Sequence, residues 1–182
     1  MNMHKISRFT RTLAILVLGF VLCIPLQADA GGRFSARGFH GNAAGGLTHS
    51  RASGFRAPNA GSFRTRSMST DGQGNVAAGS ISSFRTPAGT IGGRGGVTTR
   101  TSDGTVNHQS GMAVSGSMGS VQSQGDFSKA SDGTVSGSRN TNAQSQSGAS
   151  YQGQTSYSTG SGLTHTGTCT DANGNPVTCP QR

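Results

Sequence analysis

The pentapeptide Ser102-Asp103-Gly104-Thr105-Val106 returns unchanged as Ser131-Asp132-Gly133-Thr134-Val135, twenty-nine residues further along the chain. A degenerate form, Gly119-Ser120-Val121, lies between the two copies. Asp-Gly is a favoured two-residue hairpin loop because a type I′ turn needs positive φ at both central positions. The repeated stretch therefore predicts turns at regular intervals, with short strands between them.

Glycines at the start of such phrases form a longer series with a spacing of about fifteen residues, which is typical of repeat architectures. The series comprises Gly72, Gly89, Gly104, Gly119, Gly133, Gly148, Gly162 and Gly174. Drift in a low-complexity tail is the alternative explanation, because the spacing varies along the series.

Most units carry two apolar or aromatic residues, here called anchors, that lie six positions apart. Because six is an even number, both anchors point to the same face of a strand, whereas in a helix they lie on opposite sides. The spacing therefore predicts one strand of roughly ten residues per unit and a sheet with one weakly apolar face and one polar face. The anchors are Ile91 and Val97, Val106 and Met112, Val121 and Phe127, and Tyr151 and Tyr157.

These units predict an all-β repeat region over residues 71–182. Two architectures fit it: an antiparallel meander, or a β-solenoid in which like positions stack on one another. The hairpin-type Asp-Gly turns favour the meander.

Residues 31–70 have a different composition, in which arginine repeatedly adjoins phenylalanine, as in Arg33-Phe34 and Phe63-Arg64. Neither a helical nor a strand period runs through this segment, and glycine, serine and proline interrupt every run. We therefore predict a disordered, low-complexity basic arm. Residues 31–100 hold nine arginines and one aspartate, whereas residues 101–182 carry a net charge of −1.

Such an arm suits the binding of polyanions, because guanidinium groups fork onto phosphate or carboxylate and neighbouring rings can stack. Lipopolysaccharide, acidic polysaccharide and extracellular DNA are the polyanions expected outside a cell, and a solvated linker is the alternative role. The candidate binding residues are Arg33, Arg37, Arg51, Arg56, Arg64, Arg66, Arg85 and Arg94.

The first thirty residues have the pattern of a secretory signal peptide. Lys5, Arg8 and Arg11 precede an apolar run over residues 13–24, and Ala28-Asp29-Ala30 supplies small residues at the cleavage positions. The run is shorter than the ~20 residues of a spanning helix, so we predict cleavage after Ala30 and no transmembrane span in the mature chain. The predicted destinations are the periplasm, the outer cell surface or the medium.

The mature chain is poor in apolar side chains. Leucine, isoleucine, valine and phenylalanine number 17 among residues 31–182. Their share of the residues is about half of the ~20% that usually separates globular from disordered chains. A chain of this composition buries little apolar surface, so order must come largely from backbone hydrogen bonds. A conventional enzyme core is not expected.

Two cysteines follow the predicted cleavage site, Cys169 and Cys179, and in an exported chain they are expected to form a disulfide that closes a C-terminal hairpin. The histidines lack metal-ligand spacing, and neither a nucleophile motif nor a nucleotide-binding fingerprint is present. We therefore predict no catalytic residue, cofactor or metal site.

Two functions are compatible with these features. The first is an exported structural protein of the cell envelope or extracellular matrix, which self-associates through its sheet into a homo-oligomer or fibre. The alternative is a secreted module in which the basic arm binds an anionic polymer.

Overall fold

The computed structural model describes residues 31–179 as an all-β protein; the predicted signal peptide lies outside the described residues. Ten of the strands have 9–11 residues each, and the last has two. Their bounds are β1 Gly32–Gly41, β2 Leu47–Ala57, β3 Ala60–Thr70, β4 Val76–Arg85, β5 Ile91–Arg100, β6 Val106–Gly116, β7 Gly119–Lys129, β8 Val135–Ser145, β9 Ser150–Ser158, β10 Gly162–Thr170 and β11 Pro176–Val177.

The eleven strands form one open sheet in which each strand pairs with its neighbours in the sequence. Every pairing is antiparallel. The all-β prediction is therefore confirmed for this part of the chain, and of the two predicted architectures the structure is the meander. No helix that could span a membrane occurs among residues 31–179.

The disorder predicted for residues 31–70 is wrong, because β1, β2 and β3 occupy this segment and belong to the same sheet as the rest. Backbone hydrogen bonds between paired strands continue through them. Side-chain hydrogen bonds also join the ends of these strands. The Asn42 amide donates to Ser69 Oγ at 3.0 Å and to the Thr70 carbonyl at 2.7 Å. Glycine and serine on both faces of these strands hide the period of two from the sequence.

The turns differ from the predicted two-residue Asp-Gly loops. Gly104 N–H donates to Thr101 O, and Thr101 N–H donates to Thr105 O, which encloses a loop of three residues. In such a loop only the last residue needs positive φ, and no residue other than glycine has it in the described chain. Gly104 has a φ of 90°, and all eight glycines of the predicted series have positive φ.

The aspartate of each Ser-Asp-Gly-Thr turn accepts hydrogen bonds from the turn itself. Asp103 Oδ1 accepts from Thr105 N–H at 2.9 Å, and Asp132 Oδ1 accepts from Thr134 N–H at 2.8 Å. Hydrogen bonds from the Thr101 and Thr134 side chains lower the pKa of Asp103 and Asp132, respectively, below the usual value. Both carboxylates are therefore ionised and accept hydrogen bonds within their own turns.

The sheet is a single layer without a conventional core. Among residues 31–179 the buried side chains are all small: Ala52, Ala77, Cys169, Thr48, Ser69 and Ser123. Most large apolar side chains keep a third or more of their surface exposed. Backbone hydrogen bonding and turn geometry, rather than apolar burial, therefore determine which residues face one another.

A glycine-to-alanine pair tests this dependence on turn geometry. Gly133 has a φ of 89° with open space around it, so alanine there meets strain in the backbone and no clash. We expect Gly133→Ala to lower the free energy of unfolding by about 1–2 kcal/mol, measured by urea denaturation and circular dichroism. Gly160→Ala is the control, since Gly160 also has open space but lacks positive φ. Equal stability of the two variants would contradict this account.

Candidate functional site

The register sorts the side chains of the sheet onto two faces, because residues directly opposite one another on antiparallel strands share a face. Here we call the face of Arg37, Arg51 and Arg66 the basic face, and the other the polar face. Arg37 is opposite Arg51, and Arg51 is opposite Arg66, so three guanidinium groups follow one another across β1, β2 and β3.

Six of the eight predicted arginines lie on the basic face. Arg33 lies on β1, four residues from Arg37, and Arg64 and Arg94 are both opposite Ser82 on β4. Arg56 and Arg85 lie on the polar face, since each is opposite Gly61 of β3. The structure thus divides the predicted set in two.

Sequence numbering alone conceals this grouping. Along one strand, the residues of a given face have either all odd or all even numbers. A three-residue loop leaves this unchanged in the next strand, whereas a two-residue loop changes odd to even or even to odd. The hairpins at 58–59 and 117–118 are two-residue loops. Arg51 and Arg66 therefore share a face although one number is odd and the other even.

Three further cations of the basic face were missed by the sequence analysis. They are Arg100, Lys129 and Arg139. Arg139 is oriented along the face by two hydroxyl groups: its Nη1 lies 3.0 Å from Ser123 Oγ and its Nη2 lies 3.1 Å from Ser110 Oγ. The register of β4 to β8 is needed to place them on this face, because these residues lie far apart in the sequence.

The strands place no acid on the basic face within residues 31–179. Asp126 is the one aspartate inside a strand, and it lies on the polar face, where it accepts a hydrogen bond from Ser138 at 2.7 Å. The other aspartates of residues 31–179 lie in the loops between strands. The Asn75 and Asn175 side chains donate to Asp71 and Asp171 and lower the pKa of each. The positive charge of the basic face is thus not balanced by strand carboxylates.

Aromatic rings lie beside the arginines on the basic face. One row consists of residues that are directly opposite one another on successive strands. Along each strand it lies two residues from the row of Arg37, Arg51 and Arg66. Its members are Phe39, His49, Met68, Ala78, Thr98, His108, Phe127, Gly137, Tyr157 and Leu163. Phe39 is 69% exposed and Tyr157 is 44% exposed, so their rings are accessible to a ligand.

Two adjoining depressions occupy this face. The larger has a volume of about 600 Å³ and is lined by Arg51, Arg64 and Arg66, among others. The smaller has a volume of about 350 Å³ and is lined by Phe127, Arg139 and neighbouring residues. His108 lines both depressions. Cationic and aromatic side chains therefore border a shallow trough that crosses the strands.

The predicted anchors do not all share one face. In each strand the two anchors lie on the same side, but Ile91 and Val97 of β5 lie on the polar face. The other six, namely Val106, Met112, Val121, Phe127, Tyr151 and Tyr157, lie on the basic face. The expectation of a single apolar face is therefore wrong for Ile91 and Val97, whereas the other six anchors do share one face.

On the polar face the apolar side chains gather over the first five strands. Phe34 and Phe63 flank Gly54 across β1 to β3, and their rings stack with centroids 6.2 Å apart. Ile81 and Val97 lie nearby on β4 and β5. Amide and hydroxyl side chains follow on β7 to β10, in rows such as Gln122, Asn142, Gln152 and Thr168.

The predicted disulfide is confirmed. Cys169 and Cys179 are bonded, with Cα atoms 5.3 Å apart, and the bridge encloses the turn between β10 and β11. A closed disulfide is compatible with an oxidising compartment. Within residues 31–179, no three histidine, cysteine or acidic side chains are grouped so as to hold a metal ion.

Like charges directly opposite one another destabilise a sheet, and Arg51 lies between two of them. We expect Arg51→Gln to raise the free energy of unfolding by about 0.2–1 kcal/mol at low salt. The gain should shrink in high salt, where exposed charges are screened. Arg56→Gln on the same strand is the control, because Arg56 is opposite two glycines. A gain that is equal for both variants, or independent of salt, would show that the arginine row carries no mutual repulsion.

The comparisons with known proteins leave the chain without an assigned family. No family model matches it, and neither a curated protein nor a solved structure is similar to it at a significant level.

Proposed function

We propose that this chain is an exported binding protein that holds anionic polymers on its basic face. The observation that carries the proposal is the grouping of Arg33, Arg37, Arg51, Arg64, Arg66 and Arg94 on one face. The one strand carboxylate of residues 31–179, Asp126, lies on the other face. Stability alone does not account for this grouping, since like charges opposite one another are unfavourable. A bound polyanion would offset that repulsion.

The shape of the face supports a polymer rather than a small anion. Ten full-length strands lie side by side, and at about 4.8 Å per strand the face extends over roughly 40 Å. The cations are distributed along this length, from Arg37 on β1 to Arg139 on β8. Repeated guanidinium groups, rather than a paired acid and base, support binding over catalysis.

The predicted unit of about fifteen residues supports the same proposal. If each unit is one strand and one glycine turn, added units lengthen the face by one strand each, as in other repeat proteins. The signal-peptide pattern of residues 1–30 and the disulfide support export. The ligands in reach are then lipopolysaccharide, acidic polysaccharide and extracellular DNA.

Self-association into a structural assembly is the second candidate function. The exposed apolar residues of the polar face support it, Ile81, Ile91 and Val97 among them. So does the outer edge of β1, which has no neighbouring strand within the described part of the chain. Sheets stacked through their polar faces would leave both basic faces accessible, so the two functions are compatible.

Two double variants of equal net charge test polymer binding on the chain 31–182. Arg51→Gln with Arg66→Gln removes charge from the basic face, and Arg56→Gln with Arg85→Gln removes it from the polar face. With labelled heparin and long-chain polyphosphate as probes, we expect the first pair to weaken binding by roughly tenfold or more. Each charge-assisted contact is worth about 1.5–3 kcal/mol, and 1.4 kcal/mol is tenfold. The second pair should have a small effect.

Equal losses in the two double variants would contradict a specific role of the basic face, and so would the absence of binding at low salt. Sedimentation velocity on the same samples without polymer addresses the second candidate. A mass that rises with concentration equally in both variants would support self-association through surfaces other than the arginines.

A further inference from the structure

The sheet contains the same arrangement of two aromatic rings around a glycine twice, once on each face. On the polar face Phe34 and Phe63 flank Gly54, and their rings stack on each other. On the basic face Phe127 and Tyr157 flank Gly137 across β7, β8 and β9. Among the described residues only the first pair stacks. The second pair is therefore open where the first is closed.

Phe127, Gly137 and Tyr157 are among the residues that line the smaller depression, which has a volume of about 350 Å³. This is a volume in the range of small-ligand sites. Strands β7 and β9 lie two strand spacings apart, or about 9.6 Å, and Gly137 contributes no side chain to fill the gap. Both rings are substantially exposed, Phe127 at 40% and Tyr157 at 44%. Two strand spacings leave room in principle for a planar group between two aromatic side chains.

A cation lies at the side of this slot. Arg139 follows Gly137 by two residues on the same face, about 6.6 Å along β8, and it also lines the depression. Ser123 and Ser110 accept hydrogen bonds from its two Nη atoms, which orients the guanidinium along the arginine row. Its remaining N–H groups are donors for an anion.

From this geometry we propose that the slot of Phe127, Gly137 and Tyr157 holds a base of single-stranded nucleic acid, with Arg139 on an adjacent phosphate. The inference rests on the proposed function and names its ligand class. The strand crosses the sheet along the arginine row, and its phosphates meet Arg66, Arg51 and Arg37 further on. His108 and His49, in the same row as the rings, offer further stacking surfaces.

Other polyanions leave the slot unused. Polyphosphate has no aromatic ring, and acidic polysaccharides have none either, so neither gains from stacking. In a duplex the bases are stacked within the helix and reach a pocket only by being flipped out, at a cost in free energy. Stacking on an aromatic side chain strengthens the binding of single strands with little sequence preference.

The test uses the chain 31–182 and three probes: a labelled oligothymidylate, the duplex of the same length, and polyphosphate of equal charge. We expect the single strand to bind roughly tenfold or more tightly than either other probe at the same salt concentration. Phe127→Leu with Tyr157→Leu should remove this preference with a much smaller effect on polyphosphate binding, and circular dichroism checks that the variant is folded. Phe34→Leu with Phe63→Leu is the control on the other face.

The outcomes separate this proposal from the proposed function. If all three probes bind alike and the ring variants have no effect, the slot does not hold a base, while polymer binding by the basic face stands. If the single strand is preferred but Phe34→Leu with Phe63→Leu reduces that preference as much, the slot is also not the site. If no probe binds, the slot and the polymer-binding function are both wrong.

Discussion

The antiparallel backbone ladder is the interaction on which the rest of this structure depends. A chain with 17 leucine, isoleucine, valine and phenylalanine residues among positions 31–182 cannot build a packed interior, and the described residues contain none. Each strand is held by hydrogen bonds to its neighbours in sequence, on both sides for β2 to β10. Successive side chains along a strand point to opposite faces, and residues directly opposite on paired strands point to the same face. The ladder therefore also determines which side chains lie on each face.

The basic face follows from this constraint together with the loop lengths. Two hairpins with two-residue loops switch the numbering of the faces, at 58–59 and at 117–118, and the second reverses the first. A change of one residue in either loop would move the arginines beyond it to the opposite face. Turn geometry thus places Arg37, Arg51, Arg66 and Arg139 on one face. The proposed binding of an anionic polymer would give this grouping a physical reason.

The sequence was sufficient to predict what depends on local geometry. Turn glycines such as Gly104 and Gly133, and the disulfide of Cys169 and Cys179, are set by neighbouring residues, and the hairpin turns favoured the meander. The order of residues 31–70 was not predictable in this way, because Phe34, Gly54 and Phe63 meet only once the register is known. The same holds for Arg139 and its slot between Phe127 and Tyr157, whose members come from three strands. The position of Arg56 and Arg85 on the opposite face from the other six predicted arginines was not predictable either, because composition carries no information on faces.

Amide hydrogen exchange of the chain 31–182, at concentrations where it is monomeric, tests most directly whether the ladder alone orders the chain. The account predicts protection throughout β2 to β9, including residues 47–70. In β1, at the edge of the sheet, protected amides should alternate with freely exchanging ones, since only every second N–H faces β2. Amides that exchange freely over residues 47–70, or protection that arises only on assembly, would contradict a sheet held by its own backbone.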